Sequence, residues 1–184
     1  MTKTELRAKL LKRRSMLDKA KKRAQELEIQ SRFLMTDEYR ACDTVLAYVS
    51  TDSEIDTYGV ISAAFANHKR VAVPVVNSDY SLTFYYINSL KELKQGKFNI
   101  LEPTDKSAQV TDFSNSVCVI PALCADLAGN RVGYGKGCYD RFLSSYTGVK
   151  LCFVYSDNVL PEVEHFRTDV PVDIIVSDLF VKHT

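Results

Sequence analysis

Four glycines, two arginines, a lysine and an aspartate fall within the fifteen residues Gly129–Leu143, Gly-Asn-Arg-Val-Gly-Tyr-Gly-Lys-Gly-Cys-Tyr-Asp-Arg-Phe-Leu, of a chain with only seven glycines in all. Clustered glycines mark a loop whose backbone must adopt positive φ or approach a ligand closely, because no Cβ obstructs either. Cys138-Tyr-Asp-Arg-Phe-Leu143 reads as the opening of a helix, so the loop brings backbone N–H groups and the positive end of a helix dipole to one place. Arg131, Lys136 and Arg141 add full positive charge, and Asp140 is a hard oxygen ligand beside them. That combination suits a phosphate carrying Mg2+.

Two common phosphate loops fail against this segment. A P-loop ending at Gly135-Lys136 would need glycine at Asn130 and Ser or Thr at Gly137, and a dinucleotide fingerprint from Gly135 would need glycine at Asp140. Arg131–Leu143 instead resembles the signature of the 5-formyltetrahydrofolate cyclo-ligases, also called 5,10-methenyltetrahydrofolate synthetases, in which a basic Gly-rich loop runs into Tyr-Tyr-Asp-Arg. Lys136 and Cys138 depart from the glycine and the aromatic that often stand there. A plain Gly-rich turn before an amphipathic helix is the bland alternative, and the density and register of charge argue against it.

The elements around the loop alternate between strand and helix patterns. The first forty residues are helical in pattern and hold 12 of the 24 Lys+Arg against 6 acids, a local net of +6 in a chain of net +1. Leu6, Leu10 and Leu17 form an apolar stripe, while Lys3 and Arg7 lie one turn apart on another face with Arg14 two further turns along. Ser15-Met-Leu-Asp18 reads as a capping box, so one helix ends near Arg14 and another runs from about Asp18 to Leu34. Lys12, Arg13, Lys19, Lys21, Lys22 and Arg23 read as solvated surface. Strands are expected over Asp43–Ser50, Lys69–Val76, Ser81–Ile87, Val117–Cys124, Val149–Tyr155 and Val172–Val176. A helix over Thr57–Asn67 starts from a signal at Ser53–Asp56, and Pro74 places the end of its strand at an edge or out of the ladder. Leu90–Asp112 is a polar, turn-rich connection that either covers a site or wraps the surface. Tyr85 and Tyr86 could offer a flat face to an aromatic ligand, although core packing is the default in a strand. Val117–Cys124 leading straight into the Gly-rich loop is the order that presents loop amides at the mouth of a parallel sheet. The expectation is one domain over residues 1–184, α/β in class, a single three-layer α/β/α domain with a mainly parallel central sheet and a basic helical segment over about 1–40.

Hydrophobic residues at 46% and charged residues at 26% are ordinary globular values. No apolar run approaches bilayer length and the start carries no signal-peptide core, which points to the cytoplasm. Cys42, Cys118, Cys124, Cys138 and Cys152 are odd in number and form no Cys-x-x-Cys, as expected of free thiols. His165 reads as a surface or hydrogen-bonded histidine rather than a catalyst.

The resemblance also covers Lys3-Thr-Glu-Leu-Arg7, Tyr48-Val-Ser with Ser53-Glu-Ile-Asp-Thr57, and the Val172-Asp173 strand. It implies ATP-dependent closure of 5-formyltetrahydrofolate to 5,10-methenyltetrahydrofolate, an enzyme of one-carbon metabolism with ATP and folate as partners and Mg2+ as cofactor. On that basis Lys3, Thr4, Glu5, Leu6 and Arg7 join Arg131, Val132, Gly133, Tyr134, Gly135, Lys136, Gly137, Cys138 and Tyr139 around ATP. Val49 and Glu54, with Tyr134, Gly135, Lys136, Gly137 and Cys138, contact the folate. Arg131 and Lys136 stabilise charge on the transferred phosphoryl group, and Asp140 and Asp173 hold Mg2+. A monomer without nucleic-acid or membrane partners is expected. Two other readings stay open from the residues alone: a phosphosugar-binding protein that uses the loop without ATP, and an RNA-binding protein that uses the basic helices.

Overall fold

In the computed structural model, which describes residues 2–96 and 99–184, the basic leading segment forms two helices, α1 (Lys3–Ser15) and α2 (Lys19–Leu34). Their boundaries match the expected break, but the caps differ. Thr2 and Glu5 form the capping box of α1. Asp18 alone caps α2 by accepting from Lys21 N–H at 2.9 Å, and Ser15 turns back to the Lys12 carbonyl. A shorter helix, α3 (Asp37–Ala41), leads into the first strand, β1 (Thr44–Ala47). Then come α4 (Tyr58–Ala66) and an antiparallel pair, β2 (Arg70–Val76) and β3 (Leu82–Ile87). Helix α4 begins after Thr57, which makes no side-chain cap, while Asp56 Oδ1 accepts from Tyr58 N–H at 3.4 Å. The connection over 90–112 carries a small hairpin, β4 (Leu93–Gln95) with β5 (Leu101–Pro103).

Strand β6 (Ser116–Pro121) does not run straight into the Gly-rich loop. A second hairpin intervenes, β7 (Cys124–Asp126) with β8 (Arg131–Val132). Its turn is tied by Asp126, which accepts from Ala128 N–H, from the N–H and side-chain amide of Asn130, and from Val163 N–H. Burial alone would raise the Asp126 pKa, but those donors outweigh it and hold the carboxyl below its usual value. The loop then enters α5 (Cys138–Leu143), followed by β9 (Val149–Phe153), β10 (Val159–Leu160), β11 (Ile174–Val176) and β12 (Val181–His183).

Seven strands make the main sheet in the order β12-β11-β9-β6-β1-β2-β3. The five inner strands are parallel, and the antiparallel β12 and β3 close its edges. The inner strands are buried on both faces, which explains their continuous apolar runs. On one face Val45, Val71, Val119 and Leu151 pack under Ile29 and Phe33 of α2 and Val60, Ile61 and Ala64 of α4. Helices α2 and α4 approach closely because Gly59 has no side chain; a Cβ there would stand 2.1 Å from Gln30 Oε1. On the other face Leu46, Ala72, Cys118, Ile120 and Cys152 meet Leu143 and Phe142 of α5, with Phe113 and Tyr146 completing an aromatic cluster. Helix α1 instead covers the small sheet β10-β7-β8, with Leu10 and Leu6 on Leu123, Cys124 and Val132. Pro74 lies on an inner strand rather than an edge, but the pairing of β2 with β1 stops at Ala72, so its missing N–H is not needed there. All five cysteines are free thiols.

Phe33 is fully buried and meets Phe153 edge-on at 5.5 Å and Tyr39 at 5.0 Å. Phe33→Ala is therefore expected to destabilise the protein by about 3–5 kcal/mol, because the cavity left beneath α2 adds to the lost transfer free energy. Urea unfolding of the variant beside the wild type measures this.

Candidate active site

The carboxyl ends of the parallel strands face a cavity of about 580 Å3. This is where ligands of open α/β sheets gather. The Gly-rich loop forms much of its lining, from Gly133 through Asp140, and the loop geometry depends on two positive-φ glycines. Gly137 (φ +67) precedes α5 without a side-chain cap, so no capping side chain occupies the first N–H groups of the helix. Gly135 (φ +96) lies against Arg7, whose guanidinium carbon would stand 3.2 Å from a Cβ at that position. Arg7 Nε also donates to the Gly133 carbonyl at 2.9 Å. One side chain of α1 therefore shapes the loop across two of its glycines.

Among the described residues four cations line the cavity, Lys3, Arg7, Arg131 and Lys136. Two are held by carboxylates. Lys3 pairs with Asp169, and its ammonium lies 4.4 Å from the centroid of the Phe166 ring. Arg131 is nearly buried and donates to the Val170 carbonyl and, at 2.8 Å, to Asp140 Oδ1. Arg7 and Lys136 make no ion pair among the described residues; Lys136 lies 5.4 Å from the centroid of the Tyr80 ring. Among the described residues those two are the cavity's positive charges left for an incoming anion.

A second set of groups suits a different ligand. Glu54 lines the cavity just beyond β1, with Oε2 accepting from Thr51 N–H at 2.9 Å and from the Thr51 hydroxyl at 3.1 Å. Burial pushes its pKa up against those bonds and the Arg14 charge. Val49, Tyr48 and Tyr134 stand with it. The Tyr134 hydroxyl donates to the Ser53 carbonyl at 3.2 Å, and burial pushes its pKa up to about 12. A carboxylate among apolar and aromatic surfaces can accept from the N–H groups of a flat heterocycle.

Most of the residues expected from the sequence meet here: Lys3, Arg7, Val49, Glu54, Arg131, Gly133 to Tyr139 and Asp140 all line the cavity. Thr4, Glu5, Leu6 and Val132 do not. Glu5 caps α1, and Leu6 and Val132 pack between α1 and the small sheet. Asp173 is also outside. It precedes β11 at the amino end of that strand, where its carboxylate accepts from Lys150 N–H at 2.8 Å and pairs with the Lys150 ammonium at 3.1 Å. Asp140 and Asp173 are therefore not brought together in the cavity, and among the described residues no three His, Cys, Asp or Glu side chains gather as a metal-binding group. Tyr85 and Tyr86 are outside as well, Tyr86 lying under the Arg70 guanidinium. Tyr80, Leu82, Ile100, Glu102, Phe166 and Asp169 line the cavity without any sequence signal, since each comes from a turn, hairpin or loop brought in by tertiary packing.

The sequence model of the 5-formyltetrahydrofolate cyclo-ligase family matches residues 1–178. The chain is 28% identical over 183 residues to the 5-formyltetrahydrofolate cyclo-ligase of Haemophilus influenzae, covering 94% of this chain and 96% of that protein. The NMR structure of Aquifex aeolicus 5,10-methenyltetrahydrofolate synthetase superposes with a TM-score of 0.86 at 28% identity, over 100% of this chain and 93% of that one. The Mycoplasma pneumoniae 5,10-methenyltetrahydrofolate synthetase shares the fold at a TM-score of 0.76 and 22% identity, over 97% and 99% of the two chains.

Gly135→Ala tests the contact between α1 and the loop. A Cβ at this positive φ is expected to cost about 1–2 kcal/mol and to crowd the Arg7 guanidinium. Urea unfolding beside the wild type should show that loss, and unchanged stability would show that the loop needs neither this glycine nor its packing on Arg7.

Proposed function

The chain belongs to the 5-formyltetrahydrofolate cyclo-ligase family, and we propose that it converts 5-formyltetrahydrofolate to 5,10-methenyltetrahydrofolate, consuming ATP with Mg2+ as cofactor and releasing ADP and phosphate. The observation that carries this reading is one cavity shared by two chemically different sets of residues, a basic Gly-rich loop and a buried glutamate among aromatic and apolar side chains. The first set suits a polyphosphate and the second a reduced pterin.

In this reading the phosphates lie along Gly133–Tyr139, facing the unpaired charges of Arg7 and Lys136, while Lys3 flanks them from its pair with Asp169. Arg131 reaches the same charge from a position fixed by Val170 and Asp140. Both protein donors to Asp140 go to Oδ1, so Oδ2 has no protein partner among the described residues. Mg2+ commonly uses one or two carboxylates with substrate phosphates and waters, so Asp140 alone fits it. Bound there, the ion would neutralise phosphate charge. Glu54 and Val49 orient the pterin, with Tyr134 to Cys138 touching both ligands.

The reaction needs no protein nucleophile. The N5-formyl oxygen attacks the γ-phosphorus and ADP departs. N10 then attacks the activated formyl carbon and loses its proton, and the carbon–oxygen bond breaks as phosphate leaves. The protein's part is alignment of the formyl oxygen with the phosphorus and stabilisation of transferred charge, with Lys136 and Arg131 in that role.

Single-turnover reactions of ATP and 5-formyltetrahydrofolate, with and without Mg2+, followed by methenyl absorbance, test the reading. Product is expected only when ATP and Mg2+ are both present. Asp140→Asn and Lys136→Ala should each slow it by roughly 100- to 1,000-fold, the scale of a lost charge-stabilising group. ATP binding without product would leave the phosphate loop in place and remove the folate assignment.

A further inference from the structure

Arg14, in the last turn of α1, is a buried cation that stands behind the cavity rather than in its lining. Its Nη1 donates to the Ser53 carbonyl at 3.0 Å and to the Tyr134 hydroxyl at 3.3 Å, and its Nη2 donates to the Ala122 carbonyl at 3.1 Å. The guanidinium also lies over the Tyr155 ring, 5.3 Å from its centroid. All three acceptors are uncharged oxygens. A buried cation whose partners are all neutral, and whose Nε has no partner among the described residues, is costly, and an apolar side chain of similar length would fill the space at a lower cost. The acceptors show what this charge holds together. Ser53 immediately precedes Glu54, Tyr134 belongs to the Gly-rich loop and also donates to Ser53, and Ala122 lies just after β6. One planar fork thus joins three chain segments that meet at the pterin side of the site.

We propose that Arg14 is a positioning residue for the folate half of the site, setting Glu54 and Tyr134 relative to each other through the Ser53 carbonyl and the Tyr134 hydroxyl. The inference rests on the cyclo-ligase reading. Arg14 also adds the favourable charge near Glu54. Tyr48, Tyr134 and Tyr139 surround that carboxylate with groups that burial keeps neutral, and Lys22 of α2 is occupied by the Asp52 carbonyl and Glu26. Burial raises the Glu54 pKa, while Thr51 and Arg14 pull it down. A carboxylate that accepts from pterin N–H groups works ionised, so folate turnover falls as pH drops through that raised pKa. Removing Arg14 raises it further and moves the acid limb to higher pH.

Arg14→Met keeps the length and apolar stem of the side chain but removes both charge and donors; Arg14→Lys keeps the charge without the fork. For Arg14→Met we expect KM for 5-formyltetrahydrofolate to rise about tenfold or more, KM for ATP to stay within about twofold, and the acid limb of kcat/KM for folate to move to higher pH. For Arg14→Lys the folate KM should rise while the acid limb stays where it is. An Arg14→Met protein with wild-type folate KM and pH profile overturns the inference, and so does an equal rise in both KM values with an unmoved limb, the mark of a purely structural part. Should Arg14→Met fail to fold, Arg14→Lys decides: a raised folate KM supports the inference and an unchanged one overturns it. Wild-type turnover in the same assay separates the two levels. A wild type that forms no methenyl product removes the cyclo-ligase reading and this inference with it, whereas an active wild type beside an unaltered variant overturns the inference alone.

Discussion

Two arginines on one face of α1 connect the halves of the site. Arg7 and Arg14 are two helical turns apart, so both project to the same side and are separated by roughly 10 Å along the axis. Arg7 holds Gly133 and packs on Gly135, and Arg14 holds Ser53, Tyr134 and Ala122. Every second residue of the loop from Gly133 to Gly137 is a glycine, which leaves its backbone with few side chains of its own to fix it. Its shape therefore depends on what presses on it, and α1 does that from both ends of the segment Gly133–Gly135. The apolar neighbours on the helix, Leu6 and Leu10, fix α1 to the small sheet and keep the two forks in place.

The small sheet gives this arrangement a rigid base. Strands β7 and β8 interrupt the path from β6 to the loop, and the buried carboxylate of Asp126 organises their turn through backbone and amide donors. Arg131 lies in β8 ahead of the loop, and its guanidinium spans the Val170 carbonyl and Asp140. Asp140 Oδ1 accepts from Arg131 and also from Val170 N–H at 3.1 Å. A carboxylate pinned in this way is held in a defined place in the cavity lining before any ligand arrives.

Helix α2 plays a parallel part for the loop that carries Glu54. Lys22 donates to the Asp52 carbonyl, Glu26 accepts from Asp56 N–H, and Gln30 donates to Asp56. A loop after a strand usually moves more than the elements it joins, yet this one is tied at Asp52, Ser53 and Asp56 by three helical side chains in addition to Arg14. Much of the basic leading segment is thus structural, with its charges spent on carbonyls and carboxylates. Arg13 and Lys21 fit the solvated reading, facing Asp157 at the surface. Lys22 does not, because its acceptor is on a loop thirty residues away.

Local chemistry was strong enough in the sequence to determine six of the seven strands of the main sheet, the helices that pack on it, the free thiols and the chemical character of the Gly-rich loop; the short edge strand β12 carried no such signal. Continuous apolar runs demand burial on both faces, and a cluster of glycines beside Arg131, Lys136 and Asp140 has few other uses. The same local signals could not determine which residues meet. Nothing near Asp169, Phe166 or Tyr80 marks them for the cavity, because turns and loop segments reach it only after distant strands have paired. Asp173, an acid among β-branched residues, carries a plausible signal for a metal ligand, but the parallel register puts it at the amino end of β11 beside Lys150, away from the carboxyl ends where the cavity opens. Arg14 shares the helical face of Lys3 and Arg7, which sets it apart from Lys12 and Arg13 in the same basic run, but the helical period does not say what that face meets. Tertiary packing decides it, laying Arg14 onto Ser53 and Tyr134 while Arg13 reaches outward to Asp157.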